Sequence, residues 1–142
     1  MNKTGSCLCG AVTFEIKNAP ETVGACHCDF CRKWSGGVYI AYHCMAHQAT
    51  IVGADNLTIF RSSEWTERAF CKTCGSSAYA RIVAPGPHQG ELYFGFGLLD
   101  DPGDITLSEE IFVDKKPLGY AFVNETETMT AEQFYAMFAA PE

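Results

Sequence analysis

The sequence predicts a mainly β domain with one or two short helices. Two observations support this: apolar and polar residues alternate with a period of two in several short segments, and turn-forming residues separate those segments. Hydrophobic residues make up 47% of the 142 residues and charged residues 19%. These values are ordinary for a globular protein, and the length predicts a single domain over residues 1–142.

Alternation and β-branched or aromatic content place the strands. The predicted strands are residues 11–17, 38–42, 58–61, 78–82, 91–96 and 110–113. Clusters of Gly, Pro, Asn and Asp between them predict turns at 18–20, 53–56, 85–90 and 100–104.

One helix is predicted near the end of the chain, at about 130–140. Thr130 can cap it, because Gln133 three residues later completes a capping box. The apolar face of this helix is expected to pack on the core, and a partner-binding face is the alternative. The residues that define its face and its end are Phe134, Met137, Phe138 and Pro141.

Charge and hydropathy exclude several classes of partner. The formal net charge is −7, so no basic surface for nucleic acid or an anionic membrane is predicted. No segment approaches the roughly 18 apolar residues of a membrane span, and residues 1–10 lack a signal-peptide pattern. We therefore expect a cytoplasmic protein, in which eight cysteines favour metal binding or catalysis over disulfides.

Two short cysteine pairs predict a closed metal site. Cys7 and Cys9 form one pair, Cys71 and Cys74 the other, and a glycine follows each pair. Glycine allows the backbone to turn tightly around an ion. Two such pairs supply the four thiolates of a structural zinc site, with disulfides as the main alternative.

A third cysteine group predicts a different kind of site. Cys26, Cys28 and Cys31 lie within six residues, so they can cover only one side of an ion. Three protein ligands and an open position are typical of catalytic zinc. The alternative is a second structural site that His43, Cys44 or another residue completes.

The neighbours of this triad admit two interpretations each. Cys44 is either a core residue or a fourth ligand, and His27 lies either behind the ligands or at the surface. Arg32 and Lys33 are either a solvated pair or, as we favour, groups that offset thiolate charge and bind an anionic substrate. The remaining histidines lack ligand spacing and are predicted to be ordinary surface or loop residues: His43, His47 and His88.

The cysteine motifs and their surroundings resemble the glutathione-dependent formaldehyde-activating enzyme family, which includes the centromere protein V type. The resemblance extends from residue 5 to 117 and rests on three cysteine motifs in the same order. The matching segments are 5–15, 26–36, 68–76, 97–101 and 111–117.

The resemblance implies a β-tent of antiparallel sheets, related to methionine sulfoxide reductase B. It implies two zinc ions per chain, a structural one on Cys7, Cys9, Cys71 and Cys74 and a catalytic one on the triad. The implied activity joins glutathione and formaldehyde into S-hydroxymethylglutathione, which is a carbon–sulfur lyase reaction in reverse. The expected partners are therefore a glutathione-like thiol and a small aldehyde.

Two positions depart from the family pattern. Glu110 stands where the family often has histidine, and Leu118-Gly119-Tyr120 stands where it often has tryptophan.

Two alternative functions stay open besides the lyase activity. They are a non-enzymatic zinc-binding interaction module and a thiol–disulfide redox protein.

Overall fold

A computed structural model describes residues 1–139 as two β-sheets and two short helices. The strands in chain order are β1 (Lys3–Ser6), β2 (Thr13–Ile16), β3 (Thr22–Cys26), β4 (Tyr39–Cys44), β5 (Ala49–Val52), β6 (Leu57–Arg61), β7 (Thr66–Cys71), β8 (Ser77–Ile82), β9 (Leu92–Gly95), β10 (Thr106–Ile111) and β11 (Glu127–Met129). The helices are α1 (Asp29–Ser35) and α2 (Ala131–Ala139).

The smaller sheet has the order β1-β2-β5, and the larger one has the order β11-β10-β3-β4-β9-β8-β7-β6. Pairing is antiparallel except at β10, which runs parallel to both β3 and β11. A parallel pair needs a long crossover between its strands. Between β3 and β10 that crossover contains most of the other strands, so period-two patterns could not indicate it.

The predicted mainly β architecture with one or two short helices is confirmed. Each predicted strand overlaps an observed one, but the strand predicted at 110–113 begins earlier and ends at Ile111. It ends there because Phe112 adopts a left-handed conformation with φ 58°. The unpredicted strands are short or polar, and they are β1, β3, β5, β7 and β11.

The late helix begins with the predicted capping box. The Gln133 N–H donates to Thr130 Oγ1 at 3.2 Å, and the Thr130 N–H donates to Gln133 Oε1 at 2.8 Å. Phe134 packs against Phe112, as expected for a docked face, but the placement of Met137 on that face is wrong because its side chain is 45% exposed. The expected end of the helix at Pro141 lies outside the described residues.

A shared apolar core joins the two sheets. Phe14 of β2 stacks on Phe94 of β9 with ring centroids 4.3 Å apart, and Ile16 and Tyr42 are fully buried beside them. Cys44 belongs to this core, as the packing interpretation predicts. No helix among the described residues is long and apolar enough to cross a membrane.

The two faces of the larger sheet have different surroundings. On β4, Tyr42 and Cys44 face the core between the sheets, whereas Tyr39 and Ala41 belong to a cluster on the opposite face. This division follows from the alternation of side chains along a strand. The opposite face, with α1 and α2 packed near it, forms the site described below.

The turn between β5 and β6 yields a testable prediction. Gly53 has φ 84°, and a Cβ there would lie 2.1 Å from the carbonyl oxygen of Ala11, whereas Gly36 has the same φ with open space around it. We expect Gly36→Ala to lower the free energy of unfolding by about 1–2 kcal/mol, the usual penalty of left-handed backbone. Gly53→Ala should lower it further, because the backbone must also move, and urea denaturation of both variants measures the difference. Equal losses would contradict the steric argument.

Candidate metal and active site

The paired cysteines meet at the junction of the two sheets. Cys7 and Cys9 lie in the turn between β1 and β2, and Cys71 and Cys74 lie at the end of β7 and in the turn that follows. Their four Sγ atoms lie within 4.8 Å of one another, and Cys9 Sγ is 3.7 Å from Cys71 Sγ. We call these residues the four-cysteine cluster.

The glycine after each pair has the conformation that the sequence predicts. Gly10 has φ 82° and Gly75 has φ 77°, and each donates its N–H to the carbonyl of the first cysteine of its pair. Positive φ is accessible to glycine without a steric penalty, so each turn closes tightly. The local sequence therefore shapes both halves of the cluster.

Several donors point at the sulfurs of the cluster. The Val12 N–H donates to Cys7 Sγ at 3.4 Å, and Asn56 Nδ2 donates to Cys71 Sγ at 3.3 Å. A hydrogen bond from Ser76 lowers the pKa of Cys74 to about 5. Such donors stabilise the thiolate form, which is the form that binds metal. All eight cysteines are free thiols, so the disulfide alternative has no support.

The triad lies where β3 passes into α1. Cys26 is the last residue of β3, Cys28 caps the N-terminus of α1, and Cys31 lies in the first turn of the helix. The Cys31 N–H donates to Cys28 Sγ at 3.3 Å. The three Sγ atoms lie within 4.8 Å of one another, and no fourth Cys, His, Asp or Glu in residues 1–139 joins them.

The triad favours one negative charge on its middle residue. Hydrogen bonds from Cys26 and Cys31 lower the pKa of Cys28 to about 2, and the charge of Arg68 acts in the same direction. Conversely, hydrogen bonding to Cys28 and Cys31, together with burial, raises the pKa of Cys26. The hydrogen bonds within the triad therefore stabilise negative charge on Cys28 Sγ.

Arg68 of β7 places a buried cation beside the triad. Its side chain is 4% exposed, and Nη1 donates to Cys31 Sγ at 3.6 Å. Nε donates to Ser62 Oγ at 3.1 Å, and the guanidinium lies 5.1 Å from the ring centroid of Trp34. These contacts fix the orientation of a charge that sequence reasoning did not assign to the site.

A cavity of about 700 Å³ opens beside the triad. All three triad cysteines and Arg68 line it. Its walls also contain many aromatic side chains. Its volume is typical of sites that bind small organic molecules. The triad therefore borders a half-open and mostly apolar space that can receive a small molecule.

Arg32 and Lys33 lie in the last turn of α1, and neither is among the residues that line the cavity. Arg32 Nη2 lies 3.6 Å from Asp29 Oδ1, one turn earlier in the helix. Cations in the last turn of a helix interact favourably with its dipole. This local role accounts for the pair, and their contact with substrate stays a prediction.

His27 is buried and turned away from the triad, which selects the first of its two interpretations. Its side chain has no exposed surface, Nε2 lies 2.7 Å from Glu110 Oε1, and Nδ1 lies 2.5 Å from the hydroxyl of Tyr120. Because a carboxylate only accepts, Nε2 donates to Glu110, and in the neutral imidazole Nδ1 accepts from the tyrosine hydroxyl. Both departures from the family pattern therefore contact the same histidine.

Two of the histidines predicted to be ordinary form a pair around one carboxylate. Glu91 is buried, and its two oxygens lie 2.7 Å from His43 Nε2 and 2.8 Å from His88 Nδ1. His43 is partly exposed on β4 and His88 lies in a loop, so their positions agree with the prediction of surface or loop residues, and the shared carboxylate is a contact that the prediction did not include. Sequence spacing gave no signal, since β4 and the loop before β9 meet only in the folded chain.

Taken together, a mainly β fold with a four-cysteine cluster and a separate cysteine triad defines a cysteine-rich domain with two candidate metal sites. The family model described as glutathione-dependent formaldehyde-activating enzyme matches residues 2–115. The chain belongs to this family.

Individual relatives agree with this membership. A protein of Schizosaccharomyces pombe, named as an uncharacterized lyase, is 28% identical over 130 residues that cover 91% of each chain. A Halomonas elongata protein, provisionally named a glutathione-dependent formaldehyde-activating enzyme, is 34% identical over 83 residues, 53% of each chain. A crystal structure of a Rhodobacter sphaeroides protein has a TM-score of 0.56 and 26% identity, and it covers 74% of this chain and 99% of its own.

The four-cysteine cluster generates a prediction about stability. A structural zinc site contributes on the order of 10–16 kcal/mol, and the total stability of a domain is about 5–15 kcal/mol. We therefore expect Cys71→Ala to lose one zinc ion and to unfold, as measured by native mass spectrometry and circular dichroism. Cys44→Ala is the matched control, since it removes an equally buried cysteine outside both clusters. A folded Cys71→Ala variant with unchanged metal content would contradict the assignment.

Proposed function

We propose that this chain is a zinc-dependent carbon–sulfur lyase that joins a glutathione-like thiol to a small aldehyde such as formaldehyde, or cleaves the adduct. The observation that carries this proposal is the triad at the wall of the cavity, with one side free of protein ligands. Membership of the family supports the substrates, and the name of the S. pombe relative supports the reaction class.

The donor sets fit the proposed metal. Thiolate sulfur is a preferred ligand of zinc, four thiolates make a closed structural site, and three leave a position for substrate. We assign the structural ion to Cys7, Cys9, Cys71 and Cys74 and the catalytic ion to the triad. When bound at the triad, zinc would supply a Lewis acid that favours the thiolate form of a sulfur substrate.

The residues of the chain would position the reactants and stabilise charge. The thiol first loses its proton to solvent, and its sulfur adds to the carbonyl carbon. The electron pair of the C=O bond moves to the oxygen. The oxygen then takes a proton from solvent, so no net proton is released. Arg68 is the buried cation beside the triad, so it is placed to hold this oxygen while it is negative. The Arg68 guanidinium is itself buried, and an interaction with a buried charge is screened less than one in bulk water.

We also propose that residues 1–142 form one domain, because the core shared by the two sheets and the four-cysteine cluster both join the early strands to the later ones. Arg32 and Lys33 would act at the surface of α1, where their charges can attract an anionic thiol toward the triad.

A variant of the central triad residue tests the proposed function. Cys28→Ser removes the thiolate of the triad, so we expect it to retain the structural zinc, to lose the second zinc and to form no glutathione adduct in native mass spectrometry. Its thiol–aldehyde exchange, measured by NMR, should fall to the uncatalysed rate. Cys44→Ser serves as the control because Cys44 lies in the core between the sheets. An unchanged rate of thiol–aldehyde exchange in the folded Cys28→Ser variant would contradict the proposal.

A second variant tests the role of Arg68. Arg68→Met keeps much of the side-chain volume and removes the charge, so we expect kcat for the exchange to fall by about 10²–10³, the usual effect of losing one oxyanion donor. The KM for glutathione should change less, and Arg68→Lys should restore part of the rate. A loss confined to KM would instead indicate that Arg68 binds the ground-state thiol.

A further inference from the structure

The cavity has two chemically distinct sides. One side lies along the earlier residues of β3 and β10, and the other extends from the ends of these strands, past α2, to β7 and β8. The first, which we call the polar side, carries Asn18, Thr22, Ser108 and Glu109. The second, which we call the aromatic side, carries Trp65, Ile82, Phe112, Phe134 and Phe138. The triad and Arg68 also line this cavity, so a molecule held at the triad has access to both sides.

The aromatic side is a continuous surface. Trp65 meets Phe138 edge to face with centroids 4.8 Å apart, Phe138 lies 4.9 Å from Phe134, and Phe134 lies 5.0 Å from Phe112. Phe112 packs in turn with Cys26 and Cys31. An apolar wall therefore extends from the triad along α2.

Small residues leave room in front of this wall. Ala41 of β4 and Ala80 of β8 carry only a methyl group, and Ala80 lies opposite both Arg68 and Tyr93. All of them line the cavity. A one-carbon aldehyde would leave most of a 700 Å³ space unfilled. The space suits a larger apolar group.

The charges around the cavity exclude an acidic group on the aromatic side. Arg68 is the one Lys or Arg among the described lining residues, and its guanidinium already faces the triad. The other charged lining residues, Glu64 and Glu109, are exposed and acidic. A carboxylate on the aromatic side would lack a partner, whereas the amides and ammonium of a peptide-like thiol suit the polar side.

From these observations we propose that the aldehyde substrate carries a bulky apolar group, of phenyl size, which binds on the aromatic side while its oxygen faces Arg68. This inference rests on the proposed thiol–aldehyde function and names its second substrate. The bond changes are those already given, with sulfur adding to the carbonyl carbon and the oxygen taking the proton. Formaldehyde is then a substrate that the cavity accepts without using its aromatic side.

Part of this wall lies outside the region that the family model describes. The family model matches residues 2–115, so Phe134 and Phe138 of α2 lie beyond the matched region. Membership of the family therefore does not determine what these side chains bind.

The test compares formaldehyde with phenylacetaldehyde at fixed glutathione, with exchange followed by NMR in the zinc-loaded protein. Phe138→Ala should lower the ratio of kcat/KM for phenylacetaldehyde to that for formaldehyde on the order of tenfold or more, because it removes an apolar contact to the larger substrate only. Phe60→Ala is the matched control, since Phe60 is 59% exposed on the edge strand β6, and it should leave the ratio unchanged. Saturation-transfer NMR with unreactive 2-phenylethanol should show binding that Phe138→Ala weakens and Phe60→Ala does not.

The outcomes separate the two levels of the proposal. Turnover of formaldehyde alone, or an unchanged ratio in both Phe138→Ala and Phe134→Ala, would overturn the inference and leave the thiol–formaldehyde function standing. Absence of turnover with both aldehydes would overturn the proposed function, and the inference with it. A lowered ratio with weakened 2-phenylethanol binding in Phe138→Ala would support both.

Discussion

The four-cysteine cluster is the constraint on which the rest of the structure depends. Cys7 follows β1 of the smaller sheet and Cys71 ends β7 of the larger sheet, so the close approach of their sulfur atoms ties the two sheets together. The apolar core between the sheets can then stay small, with Phe14 and Phe94 at its centre. Closing a loop of this length is entropically unfavourable, and a metal ion bound by the four sulfur atoms would offset that cost.

The candidate active site follows from the same arrangement. With one face of the larger sheet committed to the core, the other face is free to carry the triad, Arg68 and the cavity. Arg68 and Cys71 lie on one strand three residues apart, so alternation directs them to opposite faces. One strand therefore contributes to the structural cluster with its last residue and to the candidate catalytic site with another.

Cysteine spacing predicted both clusters because ligands of one ion must lie close together, and short pairs with glycine achieve this locally. The capping box of Thr130 was predictable for the same reason, since its hydrogen bonds span three residues. The role of Arg68 was not predictable. Alternation shows on which face of the sheet its side chain lies, but it does not show which residues cover that face. The covering residues, such as Phe134, are far away in sequence. The parallel pairing of β10 with β3 was missed likewise, since it depends on the whole intervening chain.

The buried contact of His27 with Glu110 and Tyr120 has an evolutionary consequence. Histidine at position 110 would set two imidazoles against each other and remove the carboxylate that accepts from His27 Nε2. Loss of the Tyr120 hydroxyl would leave Nδ1 without its donor. Each change alone leaves a buried polar atom unpaired, which is unfavourable by about 1–3 kcal/mol. Because both contacts act through one buried ring, substitutions at the two positions are expected to be non-additive, and the residue tolerated at one position depends on the residue at the other.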